Sequence, residues 1–254
     1  MIGIMDSGSG GLSVYREIVK ILPRQRYLYF GDNAHCPYGE KTAEFIQDRC
    51  RHITDELLRE GAEIIVVACN TATGAAISTL REEYPEIRFI GMEPAVKPAA
   101  LSSETGVIGV LATAGTLKAS KYLKTKEIYE NDTTIAEHVG EGFVDLVERG
   151  VLDGPEAERI VEASLRPLLD AGADRIVLGC THYPFLMNVI KKIAGPGVRV
   201  IDPAPAVAAQ LAKVMEEEGI SAEDPSLPGT IETITSGPSD STERILRLIR
   251  QGND

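Results

Sequence analysis

Several common features are missing from this 254-residue chain, and each absence removes a class of protein. No apolar run approaches the roughly 20 residues needed to cross a bilayer; the longest, such as residues 64–69, stop far short. The amino-terminal MIGIMDSG has neither the basic stretch nor the apolar core of a secretory signal, so a cytoplasmic protein with no membrane partner is expected. Positive charge is scarce: 26 Lys and Arg stand against 38 Asp and Glu, a formal net charge of −12. Nucleic acid requires clustered basic side chains, and it is excluded as a partner. There is no GK[ST], so the phosphate loop of nucleotide-binding proteins is absent. The four cysteines, Cys36, Cys50, Cys69 and Cys180, form no CxxC pair, and the four histidines do not stand at zinc-ligand spacing from them. No metal is expected, and in a reducing compartment the cysteines are thiols rather than disulfides. Low-complexity segments are absent as well.

What is present is an alternation. Short apolar, β-branched runs at 2–5, 26–30, 63–68, 88–91, 106–111, 175–179 and 198–202 have the pattern of buried strands. Between them, residues 12–22, 42–59, 75–83, 157–171 and 185–193 carry the helical period. This predicts an α/β fold with mainly parallel sheets and helices on both faces, in which ligands bind beyond the carboxyl ends of the strands. The tail after Asp202 predicts a helix, a Pro-containing loop, a short strand and a last helix over 242–250.

The chain also echoes itself. GAEIIVVACNT (61–71) and GADRIVLGCTH (172–182) share a Gly-Ala-acid start, an apolar strand, a small residue, then Cys and a polar pair. More weakly, IGIMDSGSGG (2–11) matches GVIGVLATAGT (106–116) in the same order. Two related α/β domains with a ligand cleft between them are expected, 1–96 plus 207–254 and 97–206.

Cys69 and Cys180 hold the same place in the echo, each directly after a buried strand. A helix that follows directs backbone N–H groups at such a thiol and favours its thiolate. Each alone has an equally good reading as a core cysteine that ends a strand; the matched pair does not. Two opposed thiols suit inversion of a carbon stereocentre, where one removes a proton from one face and the other delivers a proton to the opposite face. Asp6, in DSGSGG after the first strand, is placed to assist one thiol, or to cap a helix. His182, two residues after Cys180, is placed to assist the other, or to sit as a satisfied turn histidine. Asn70, Thr71, Thr113, Thr116 and Thr181 are neutral polar groups at strand ends, fit for a small polar ligand and equally for helix capping. In GDNAHCPYGEK (31–41), Pro37-Tyr38-Gly39 marks a turn before a helix; Tyr38 either covers the ligand or packs. Cys36 and Cys50 are taken as structural.

Taken together, DSGSGG (6–11), GDNAHCPYG (31–39), ACNTAT (68–73), GMEP (91–94) and GCTHYP (179–184) resemble the glutamate racemases of bacterial cell-wall synthesis, over about 180 residues. The His of GCTHYP is similar to the glutamate branch rather than to the aspartate racemases, where an acid is usual. The resemblance implies cofactor-independent racemisation of glutamate, with no pyridoxal phosphate and no metal. It implies that Cys69 acts on D-glutamate and Cys180 on L-glutamate, with Asp6, His182 and Glu148 assisting. It implies substrate contacts from Asp6, Ser7, Pro37, Tyr38, Gly39, Asn70, Thr71, Thr113, Thr116, Thr181 and His182, and a homodimer. The chain departs from the family pattern at Ala119, where Ser is common, at Asp145, where Pro is usual, and at His35-Cys36, which replaces other residues before the Pro37-Tyr38-Gly39 turn. The competing expectations are an aspartate racemase, an amino-acid binding protein without chemistry and a thiol redox protein.

Overall fold

The computed structural model describes residues 1–222 and 226–252 and divides into two compact units, Met1–Met92 with Ala204–Asp254, and Glu93–Pro203. The first unit begins with β1 (Ile2–Asp6), α1 (Leu12–Ile21), β2 (Arg26–Gly31), α2 (Ala43–Arg59), β3 (Ile64–Val67), α3 (Asn70–Glu83) and β4 (Arg88–Gly91). The second holds α4 (Val96–Ser102), β5 (Val107–Ala112), α5 (Ala114–Lys118), α6 (Ser120–Tyr129), β6 (Thr134–Val139), α7 (Phe143–Arg149), α8 (Pro155–Asp170), β7 (Arg175–Gly179), α9 (Met187–Ala194) and β8 (Arg199–Ile201). The chain then completes the first unit with α10 (Ala204–Glu217), β9 (Thr230–Thr235) and α11 (Asp240–Arg250).

Every described strand pair is parallel. The first sheet runs β4-β3-β1-β2-β9, and the second runs β6-β5-β7-β8. Taken from its other edge, the second is β8-β7-β5-β6. Ranked within each unit, both are then 4-3-1-2, and β9 is an addition beside β2. The echo in the sequence therefore falls on equivalent strands: β3 with β7, and β1 with β5.

Central strands carry continuous apolar runs because both of their faces are covered. β1, β3 and β7 are buried at every residue. In the first unit Met5, Leu28, Phe30, Ile65 and Val67 pack with Ile46, Ile53 and Leu57 of α2 and Ile77 and Leu80 of α3. Helix α1 lies against α10 and α11. In the second unit Ile108, Val110 and Val177 pack with Val96 and Ala99 of α4 and Tyr122 of α6, while α8 packs on β5, β6 and α9.

The strands expected from apolar runs are all present within a residue or so of their expected ends. β6 was not expected: it is an edge strand with a partly exposed TIAEHV sequence, so it lacks the run that marks a buried one. Helices α4 to α7 are short or weakly patterned and also escaped the periodicity. Helix α3 starts at Asn70 rather than near 75, because Cys69 itself caps it and its polar first turn carries no apolar stripe. The last helix starts at Asp240 rather than 242. Of the expected tail loop, residues 223–225 lie outside the described residues.

In both units the chain winds one way from the first strand to the second and the other way to the third and fourth. The reversal lies between the first and third strands, which are neighbours (Met5 opposite Val67; Ala112 opposite Gly179). In such sheets ligands bind at this point, past the carboxyl ends. A side chain at Gly179 would disturb it, since a Cβ there would stand 2.6 Å from the Ala112 Cβ. Gly179→Ala is expected to cost about 1–3 kcal/mol, measured as a lower urea midpoint with an unchanged m-value.

Candidate functional site

In the first unit the reversal point presents Asp6 at the end of β1, Ser7 just after it, and Cys69 after β3. Cys69 is buried and has extended backbone (φ −139°, ψ 120°), and its Sγ accepts the Ala72 N–H at 3.4 Å. A helix N-terminus directed at sulfur stabilises a thiolate. Ser7 Oγ lies 3.8 Å from Cys69 Sγ. Asp6 does not cap α1. Its Oδ1 accepts the Gly8 N–H at 2.8 Å, and the residue at the cap of α1 is Gly11, which makes no side-chain bond. The Tyr29 hydroxyl donates to Gly8 O at 2.7 Å and fixes the loop from β2. Gly11 is required, because a Cβ there would stand 2.7 Å from the Asp6 Cβ.

Asn70 opens α3 with its side chain buried and neither Nδ2 nor Oδ1 partnered. An unpartnered buried polar group costs about 1–3 kcal/mol, so this amide marks a place for a polar ligand. Thr71 is buried beside it.

Residues 31–41 form two single-turn 3₁₀ helices, Asn33–His35 and Tyr38–Glu40, and only then α2, whose cap Thr42 accepts the Phe45 N–H at 3.3 Å. The expected turn thus runs into a 3₁₀ turn before the helix. Tyr38 is buried with its hydroxyl donating to Asp32, and half-buried Pro37 and Gly39 flank it in the chain. Asp32 escaped sequence reading. It is fully buried and takes Arg49 Nε and Nη2 at 2.9 Å each, His35 Nδ1 at 2.9 Å and the Tyr38 hydroxyl. Burial alone would raise its pKa. The hydrogen bonds from Arg49, Ser236, Tyr38 and His35 outweigh it and hold the carboxyl well below the usual carboxylate range. Burial, joined by the neighbouring Cys50 and Asp32, drives the Tyr38 phenol far above its usual value. The signal that could have found Asp32 is an acid directly after a strand that is buried from Tyr27 to its end.

In the second unit, Thr113 follows β5 and caps α5. Its Oγ1 accepts the Thr116 N–H at 3.2 Å and lies 3.0 Å from Thr116 Oγ1. Of the two roles expected of these threonines, capping is the one Thr113 performs here. Cys180 leaves β7 buried, with Thr181 and His182 buried next to it. Cys180 Sγ lies 3.8 Å from His182 Nδ1, and His182 Nε2 lies 2.7 Å from Glu148 Oε1. A proton held on Nε2 by the carboxylate leaves Nδ1 as an acceptor facing the thiol, the geometry that proton exchange between sulfur and imidazole requires. Sequence spacing could not pair Glu148 with His182; α7 packed on the 3₁₀ turn Tyr183–Leu186 does so. Tyr183, fully buried, fastens that turn: its hydroxyl donates to Gly140 O at 3.3 Å, and its ring meets Phe143 at 4.8 Å. Burial, and then the charge of Cys180, push its phenol well above the usual value.

Of the departures noted in the sequence, His35 bonds Asp32 and the Ala119 N–H donates to Thr116 O at 3.1 Å, while Asp145 lies at the surface. Asp145 makes an exposed pair with Arg149 at 3.2 Å, and Ala119 stands at the cap of α6 without a side-chain bond. Cys50 is fully buried in α2, where burial drives its thiol far upward.

The model of the Asp/Glu/Hydantoin racemase family matches residues 2–211. The chain belongs to this family. It is 44% identical to a glutamate racemase of Pseudomonas aeruginosa over 98% of this chain and 93% of that one. Among solved structures it resembles the glutamate racemase isoform RacE1 of Bacillus anthracis (TM-score 0.87, 33% identity, 99% of this chain and 94% of that chain). It also resembles the Escherichia coli glutamate racemase in complex with L-glutamate and the activator UDP-MurNAc-ala (TM-score 0.85, 32% identity, 98% and 94%). The family thus stands on the full chain rather than on isolated motifs, and it makes the chain an isomerase of the racemase type.

The buried Asp32 gives the site an acid dependence of definite sign. Its folded pKa lies below its ordinary 3.8, so its contribution to stability is fully present above that value and is lost as pH falls toward the depressed one. Asp32→Asn is expected to lower Tm near neutral pH, and the gap from the unsubstituted protein should close steadily below about pH 4. Thermal melts in a series of acidic buffers check this; a gap that widens in acid would contradict it.

Proposed function

We propose that this racemase interconverts L- and D-glutamate without a cofactor, using Cys69 and Cys180 as its two proton-handling groups. The observation that carries the reading is the repetition of one topology with a buried cysteine at the reversal point of each copy, each beside a different proton-handling or anion-stabilising partner. The glutamate racemases of P. aeruginosa, B. anthracis and E. coli named above support glutamate as the substrate.

From D-glutamate, the Cys69 thiolate takes the α-proton and the Cys180 thiol delivers one to the opposite face. From L-glutamate the roles exchange, and each turnover leaves one thiol and one thiolate. Asp6 and Ser7 serve the first sulfur, and His182, oriented by Glu148, serves the second. The carbanion needs its carboxylate held by donors. Asn70, Thr71 and Thr181 supply these, with Ser7, residues 37–39, Thr113 and Thr116 completing the substrate contacts. The unpartnered amide of Asn70 favours this role most directly. Both protons are carried by side chains of the chain itself, so neither pyridoxal phosphate nor a metal enters the reaction. The working division is into domains 1–96 plus 207–254 and 97–206, and the enzyme acts as a cytoplasmic homodimer that supplies D-glutamate for peptidoglycan.

Purified protein in cofactor-free D₂O buffer is expected to form D-glutamate from L-glutamate with deuterium at the α-carbon, and to leave aspartate nearly untouched. Cys69→Ser and Cys180→Ser should each slow turnover by about 100-fold or more. Near-normal rates in either variant would remove the two-thiol mechanism, and binding of glutamate without α-exchange would make the protein a binder.

A further inference from the structure

We propose that Asn33, held by the first turn of α11, is a positioning residue for the loop 31–41, so that the carboxyl-terminal segment of the chain sets affinity for the substrate. This rests on the reading above, which puts residues 37–39 of that loop on glutamate.

Strands β2 and β9 lie side by side and leave the sheet at the same end, Gly31 opposite Thr235. The ladder runs one residue further, with Ser236 N donating to Gly31 O at 3.1 Å. Beyond it the two connections interlock. Ser236 Oγ accepts the Ala34 N–H at 3.2 Å. Gly237 lies so near that a Cβ there would stand 2.8 Å from Ala34 N. Asn33 Nδ2 reaches α11, 3.1 Å from Ser241 Oγ and 3.4 Å from Thr242 Oγ1, across 208 and 209 positions of sequence. Both hydroxyl residues are buried, Thr242 completely. Asn33 is itself wedged: a Cβ on Gly31 would stand 2.5 Å from its Oδ1.

The loop is therefore held from two sides. Arg49 of α2 fixes it through Asp32, on which the loop's own Tyr38 also closes. Ser236, Ser241 and Thr242 fix it from the β9–α11 side. The second grip bears on Asn33 and Ala34 of the loop. It acts on the loop that presents residues 37–39, and its loss raises the cost of ordering that loop on binding. The consequence is a change in KM with little change in kcat, because the thiols and their partners stay in place.

The test compares Asn33→Ala with the double variant Ser241→Ala/Thr242→Val in the full-length protein. Each is expected to raise KM for both glutamate enantiomers about three- to tenfold, the scale of one or two lost hydrogen bonds, with kcat within about twofold. Thr242→Ser, which keeps the hydroxyl, should restore KM in the Ser241→Ala background. Hydrogen exchange supplies a readout independent of activity: backbone amides at 33–36 and 38–41 should exchange faster in both variants while those of β1 and β3 do not change. Unchanged KM and unchanged loop exchange in folded variants would overturn the proposal. So would a fall in kcat accompanied by faster exchange across β1 and β3, which would mark general destabilisation. A parent protein inert toward glutamate, with loop exchange still accelerated by Asn33→Ala, overturns the functional reading and leaves the mechanical coupling standing.

Discussion

A strand covered on both faces cannot carry an unpartnered polar side chain, because nothing beside it replaces the lost water. Chemistry is thereby pushed to the first residues past the strand end. In this protein β1, β3 and β7 are buried throughout, and Ser7, Cys69 and Cys180 stand within two residues of where they stop. The order 4-3-1-2 then makes the first and third strands neighbours in both units, so each pair releases its residues at adjacent strand ends. The remainder of each site is arranged around those two strand ends.

Equivalent position has not produced equivalent surroundings. Cys69 caps a fourteen-residue α-helix and receives a backbone N–H, while Ser7 lies beside it. Cys180 leads into a single 3₁₀ turn and has the His182–Glu148 pair beside it. One sulfur has a backbone N–H dipole beside it and the other an imidazole–carboxylate pair. On the proposed reading the two perform the same step by different physical means, one by stabilising the anion in place and the other by sharing its proton with imidazole.

Groups outside the proposed proton-handling set are among the most tightly bonded. Asp32 concentrates a guanidinium, an imidazole and a phenol on one buried carboxylate. Breaking such a buried pair by removing one member leaves an uncompensated charge, which costs far more than the pair itself contributes. Tyr183 does similar work for the Cys180 turn through Gly140 and Phe143. These ties hold short loops, which have few backbone hydrogen bonds of their own, in one conformation.

Apolar runs and their spacing were enough to read the parallel α/β class, the buried strands, the echo and the two cysteines, because a strand buried on both faces must be continuously apolar and a residue just past it is conspicuous. Short motifs located Asp6, Asn70 and His182 as well, each within a few residues of a strand end. Edge strand β6, the early start of α3 at Asn70 and the 3₁₀ turns around Tyr38 lacked such marks, since partial exposure and local caps leave no period. Folding alone brought Glu148 to His182 across 34 positions, Arg49 to Asp32 across 17 and Ser241 to Asn33 across 208. Those pairings depend on how helices pack on a sheet, a property of three-dimensional fit that no linear spacing encodes.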